Sequence, residues 1–113
     1  MGDYVQSWNR ACNSIAGGGM LLSKWPDVFA PSIWPSHYSK CKGIDVWDLS
    51  GQKYQDLSIM GIGTNILGYG DSFVDSAVHD VINTGNMSTL NCIEEVVLAE
   101  KLIDIHSLWA GKV

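Results

Sequence analysis

The chain has 113 residues, a formal net charge of −5 and 46% apolar content. That is enough for one modest core and too apolar for a disordered tail. Its seven basic residues are scattered singly, which leaves no electrostatic footprint for nucleic acid or an anionic membrane, and no apolar run approaches the roughly 18 residues of a membrane span.

The opening MGDYVQSW shows no basic segment followed by an apolar one, so no secretory signal is visible. Gln6 stands where a myristoylation signal needs Ser or Thr. Cys12, Cys41 and Cys92 are odd in number, widely spaced and free of any C-x-x-C pattern. They suggest neither a disulfide framework nor a zinc site, and the expectation is three reduced thiols in a cytoplasmic protein. Asn86-Met87-Ser88 matches a glycosylation sequon that a cytoplasmic chain would not use.

From Asp3 to Ile15, residues Tyr4, Val5, Trp8, Ala11, Cys12 and Ile15 share one helical face, with Asp3 able to cap the start. Gly17-Gly18-Gly19 ends that helix. Residues 20–36 read as an extended, irregular arm, because Pro26, Pro31 and Pro35 each push the preceding residue out of helical geometry. The arm carries Met20, Leu21, Leu22, Trp25, Phe29, Ile33 and Trp34, so it must lie against something.

Three strand candidates follow: Tyr38 to Lys42, Ile44 to Leu49, and Lys53 to Ile59. The segment Asp48 to Gln52 makes a tight turn with Gly51 left-handed, giving a hairpin or a three-stranded meander. After the glycine-rich stretch 60–70, Ser72 with Asp75 opens a helix whose stripe is Phe73, Val74, Ala77, Val78, Val81 and Ile82. It ends before Gly85. Asn91 with Glu94 opens another, in which Ile93, Val96, Val97, Leu98, Ala99, Leu102, Ile103 and Ile105 cover more than half the circumference. Such a helix is expected to pack on two sides. The fold class is therefore α+β: an N-terminal helix, an irregular aromatic arm, a small antiparallel meander, then two amphipathic helices. One segment, 1–113, divides into 1–19, 20–59 and 60–113.

Familiar chemistry is missing. The dinucleotide pattern fails at Ile66, where its third glycine belongs, and the P-loop fails at Tyr69-Gly70. His37, His79 and His106 have no metal-ligand spacing and read as surface or capping residues. No G-x-S-x-G elbow exists. Asp45, Asp48 and Asp56 read as turn formers and solvated strand residues. The helix stripe, the arm and the last helix together show more apolar surface than this length can bury, which favours a large partner or further chain.

The order of motifs resembles a known family. Gly18-Gly19-Met20-Leu21-Leu22-Ser23-Lys24, then Pro26, Phe29-Ala30-Pro31, Trp34-Pro35, Lys42 to Gly51 and Tyr54-Gln55-Asp56 are similar to the N-terminal part of class III aminotransferases. The nearest branch is that of glutamate-1-semialdehyde aminomutase. Met60 to Tyr69 resembles the loop before the family's first long helix. Gly85 to Cys92, with Glu94-Glu95 and Leu98-Ala99-Glu100, resembles the entry to the next. Departures are Ala16 and Ile93, where relatives often have Pro, and a His106-Ser107-Leu108-Trp109 end one residue longer than usual.

The resemblance implies the N-terminal segment of a fold-type I pyridoxal-phosphate enzyme, truncated before the large cofactor domain. It implies amino-group transfer to a keto or aldehyde carbon, an amino acid or amino-aldehyde substrate, and a homodimer at full length. The Schiff-base lysine, which makes the cofactor an electron sink, would lie outside these residues. None of Lys24, Lys40, Lys42, Lys53, Lys101 or Lys112 sits in its motif. The segment alone is then expected to be inactive, to hold no cofactor stably, and to be poorly soluble or molten. Gly63, Thr64, Asn65, Ser88 and Thr89 are the implied substrate- or cofactor-proximal residues. Read without the resemblance, the glycine serves a turn and the rest serve caps. A small non-catalytic dimerisation or interaction module is the alternative function.

Overall fold

The computed structural model describes residues 3–113, with side chains from residue 5 onward. The cap expected of Asp3 and the part of Tyr4 in the first stripe therefore fall outside the described residues. The chain forms two compact units, Met1–Ser72 and Phe73–Val113. Among the described residues there are four α-helices and one three-stranded antiparallel sheet.

The first unit begins with α1 (Asp3–Ser14). Gly17 and Gly18 take φ of 74° and 73°, which turns the chain back on the helix. Trp25 then lies 6.4 Å from Trp8, centroid to centroid, and its Nε1 donates to the Gly19 carbonyl at 3.3 Å. The arm is more ordered than expected. A 3-10 turn (Leu22–Lys24) and the short α2 (Pro26–Phe29) interrupt it. Pro26 holds the preceding Trp25 extended, yet itself occupies the first helical turn, where its missing N–H costs nothing. Phe29 and Trp34 stack at 4.8 Å.

The sheet runs β1 (Tyr38–Lys42), β2 (Asp45–Asp48), β3 (Lys53–Gln55) in spatial order. Cys41, Val46 and Tyr54 stand in register across it, as do Lys40, Trp47 and Lys53. Alternation therefore separates Cys41, Val46, Asp48 and Tyr54 from a face of Lys40, Asp45, Trp47 and Lys53. On that charged face the Lys40 ammonium sits 4.4 Å from the Trp47 ring, and Lys53 pairs with Asp45 at 3.3 Å. Gly51 is left-handed, as expected, with φ 84°. The last strand is shorter than the sequence suggests. Asp56 Oδ1 accepts from Ser58 N at 2.9 Å, and this local turn draws the chain out of the ladder.

The second unit contains α3 (Ser72–Thr84) and α4 (Ile93–Ile105). Gly85 ends α3 with φ 95°. Ser72 is the first helical residue of α3, so the cap position falls to Asp71 rather than to Ser72 as expected. The expected Asn91–Glu94 start is also displaced: Cys92 is the cap of α4 and makes no side-chain cap bond. Neither helix holds a buried residue. The two-sided packing expected of α4 is not present, and Val96, Val97 and Leu98 are at least half exposed. Across the described residues only Ala11, Gly18, Pro26 and Asp48 are buried. No helix among the described residues is long and apolar enough to cross a membrane.

Candidate functional site

The best-defined arrangement of polar groups lies where the glycine-rich loop leaves and rejoins the sheet. Asp56 follows β3 and Tyr69 closes the loop. The Tyr69 hydroxyl donates to Asp56 Oδ2 at 2.5 Å. Tyr69 and Gly43 exchange both backbone hydrogen bonds at 2.8 Å, and the Lys42 ammonium donates to the Gly70 carbonyl. These contacts pin a loop of twelve residues, 57–68, whose ends stay close, the form of an Ω-loop.

The electrostatics follow from the hydrogen bonds. Bonds from Ser58 and then from Tyr69 hold the Asp56 carboxyl below its ordinary range. Tyr69 is pushed up to about 12, first by its bond to Asp56 and then by desolvation. Desolvation and the nearby Asp56 charge raise the Cys41 thiol. Cys41 is thus a poor nucleophile, since the thiolate is the reactive form.

Gly63, Thr64 and Asn65 sit on this loop. Gly63 is left-handed with φ 75°. Thr64 Oγ1 donates to the Gly61 carbonyl at 2.8 Å, and Asn65 Nδ2 donates to the Met60 carbonyl at 3.1 Å. Asn65 also donates to Thr64 Oγ1 at 3.3 Å, so the structure brings these two side chains together. Ser88 and Thr89 belong to the other unit. Ser88 Oγ accepts from Leu90 N at 2.9 Å and shapes the turn before α4, while Thr89 is exposed.

The remaining candidates resolve simply. Asp48 is buried, not solvated. Its Oδ1 accepts from Ser50 N, Ser50 Oγ and Gln52 N at 2.9, 2.7 and 2.9 Å. His37 Nδ1 lies 2.9 Å from Ser36 Oγ and 3.2 Å from Ser7 Oγ. His106 caps α4 and its ring lies 5.1 Å from Trp109. Sequence reasoning missed the Asp56–Tyr69 pair. Its only trace is an acid and a tyrosine flanking a glycine-rich stretch.

The residues present do not build a pyridoxal-phosphate site by themselves. Lys24, Lys40, Lys42, Lys53, Lys101 and Lys112 are all exposed. Lys53 and Lys101 pair with Asp45 and Asp104, Lys42 with a backbone carbonyl, and Lys40 lies over Trp47. Among the described residues, one surface groove is lined by Gln6, Asn9, Arg10 and Asn13 and another by the apolar face of α3 with Asn86.

No protein-family model matches the sequence. Two curated proteins are similar. Glutamate-1-semialdehyde 2,1-aminomutase 2 of Staphylococcus haemolyticus (strain JCSC1435) is 28% identical over 101 residues, covering 88% of this chain. Glutamate-1-semialdehyde 2,1-aminomutase 1 of Staphylococcus carnosus (strain TM300) is 27% identical over the same share. The chain spans only 23% of the length of either relative. Among solved structures, the FumI protein of Sphingopyxis sp. MTA144, in its PLP internal aldimine form, matches with TM-score 0.74 and 28% identity over 86% of this chain and 23% of that one. An omega-transaminase from Sphaerobacter thermophilus shares the fold, with TM-score 0.76 and 20% identity over 90% of this chain and 22% of that one. The resemblance read from the sequence is thus found again in both sequence and fold.

Proposed function

From a similarity to glutamate-1-semialdehyde aminomutases that runs over most of the chain, we propose that these residues act as the N-terminal segment of a class III pyridoxal-phosphate aminotransferase or aminomutase. The observation that carries the reading is the coincidence of sequence and fold: 28% identity over 88% of the chain, and a TM-score of 0.74 to a pyridoxal-phosphate protein. The reaction of the whole enzyme is amino-group transfer to a keto or aldehyde carbon, in a cytoplasmic homodimer. By the resemblance, residues 60–69 and residues 85–90 each approach the active-site entrance of the whole enzyme. Gly63 allows close backbone approach, and Thr64, Asn65, Ser88 and Thr89 offer hydroxyl and amide groups to a polar substrate.

The chain alone is inactive in this reading, because no lysine here stands in a desolvated pocket where a covalent anchor would form. Mixing the chain with pyridoxal phosphate, reducing with borohydride and mapping the peptides tests this. Scattered, substoichiometric labelling of exposed lysines is expected. Stoichiometric labelling of one lysine would overturn it.

The exposed faces favour a second reading, a non-catalytic interaction module. Phe73, Val78 and Ile82 on α3 are 83%, 51% and 54% exposed. Sedimentation and capture by a full-length relative separate the two. Micromolar binding supports the module, and a monomer that binds nothing ends it.

A further inference from the structure

Loop 57–68 contains a turn that its side chains resist. Met60, Gly61, Ile62 and Gly63 have φ of 42°, 73°, 61° and 75°. The Gly63 N–H donates to the Ile59 carbonyl at 2.6 Å, which closes the run as a left-handed turn. Glycine adopts such angles freely. Met60 resists them and β-branched Ile62 resists them more, because Cβ crowds the following carbonyl. Burial does not compensate, since Ile62 is 75% exposed.

Strain of this kind persists only where the surroundings over-determine the backbone. Within the loop, the Met60 and Gly61 carbonyls are held by Asn65 and Thr64. The bonds that tie the loop to the sheet gather at its neck, at Asp56–Tyr69, Gly43–Tyr69 and Lys42–Gly70. Gly68 lies so close to Gly43 that an added Cβ would stand 3.1 Å from the Gly43 Cα. The neck therefore fixes the separation of the loop ends, and the left-handed turn takes up the chain between them.

We infer that the Asp56–Tyr69 hydrogen bond is a clasp that holds loop 57–68 in its strained form, which makes Asp56 and Tyr69 positioning residues for Gly63, Thr64 and Asn65. The benefit to Gly63, Thr64 and Asn65 rests on the substrate-side role proposed above. The clasp itself does not. When it opens, the loop ends separate and Met60 and Ile62 return to negative φ. The Met60 and Gly61 carbonyls then turn away from Asn65 and Thr64. The loop has two forms, and a bond at its neck selects between them.

Residue-resolved amide exchange on the whole chain tests this, read at Gly63, Gly68 and Tyr69, whose N–H groups are all bonded in the closed form. Tyr69→Phe keeps the ring and removes the donor. Exchange at these three amides is expected to rise about tenfold, the loss of one charge-assisted hydrogen bond, while β1–β2 amides keep their protection. Ile62→Gly, with the clasp intact, is expected to exchange no faster than the parent chain, because glycine carries no left-handed penalty. In the double variant exchange is expected at about threefold or less above the parent chain, because relief of the left-handed strain at residue 62 offsets the lost bond. The inference is overturned by unchanged loop exchange in Tyr69→Phe, by an equal rise across the sheet, or by a double variant that still exchanges about tenfold faster than the parent chain. No ligand enters the experiment, so its failure is separate from a failure of the substrate-side reading, which is measured by turnover.

Discussion

The Trp8 ring closes over Gly18. A Cβ added to Gly18 would stand 2.9 Å from Trp8 Cη2 and 2.9 Å from Cys12 Sγ. The same residue has φ 73°, so both space and backbone geometry require glycine. Gly18→Ala is expected to open the Trp8–Trp25 contact at a cost of about 1–3 kcal/mol. Faster exchange of the residue 18 amide, which is bonded to the Ile15 carbonyl at 2.8 Å, would report it. Unchanged exchange would mean that the hinge relaxes freely.

Asp48 organises the turn between β2 and β3. Hydrogen bonds, from Ser50 first, hold its carboxyl below the ordinary value. Asp48→Ala leaves the Ser50 and Gln52 N–H groups without their acceptor. Exchange of the Gln52 amide is expected to rise about tenfold, with cross-strand contacts between Trp47 and Lys53 weakened. Asp48→Asn keeps one acceptor oxygen and is expected to fall between.

The Asp56–Tyr69 pair gives the loop a pH window bounded at both ends. Asp56 is depressed from 3.8 in the folded chain, so its contribution is present above that value and lost as pH falls through the lowered one. Tyr69 is raised from 10.0 to about 12, so its contribution is full below 10 and lost as pH rises through about 12. Phenolate absorbance should show a component near pH 12 that vanishes in Tyr69→Phe and moves down in Asp56→Asn. A titration unchanged by either substitution would contradict the pairing.

The apolar face of α3 is open along Phe73, Val74, Ala77, Val78, Val81 and Ile82. Val78→Lys is expected to reduce self-association and dye binding to exposed apolar surface, with helical content unchanged. Loss of helix on substitution would show instead that the face is already covered in solution.

Much of this architecture is legible in the sequence because it follows from period and punctuation. The α1 stripe, the stop at Gly17 and Gly18, the Gly51 turn and the α3 stripe are each dictated by residues adjacent in the chain. What was not legible depends on competition or distance. Pro26 breaks a helix before it and starts one after it, and composition does not say which effect dominates. Asp56 ends β3 early because its carboxylate captures Ser58, although the residues beyond it favour a strand. Met60 and Ile62 are left-handed against their own preferences, so no local rule finds them. The clasp joins residues thirteen apart through a side-chain bond, and neither residue type announces its partner.

Transplantation into a whole enzyme tests whether these residues serve as an aminotransferase N-terminal segment. The chain's matching residues replace the 101-residue segment of the Staphylococcus haemolyticus aminomutase to which they are 28% identical. The measurement is turnover of that enzyme's own reaction after cofactor loading. An N-terminal aminotransferase segment predicts a chimera that loads cofactor and turns over, with turnover reduced by Thr64→Val and Asn65→Ala. A chimera that folds and loads cofactor but shows no turnover would contradict it.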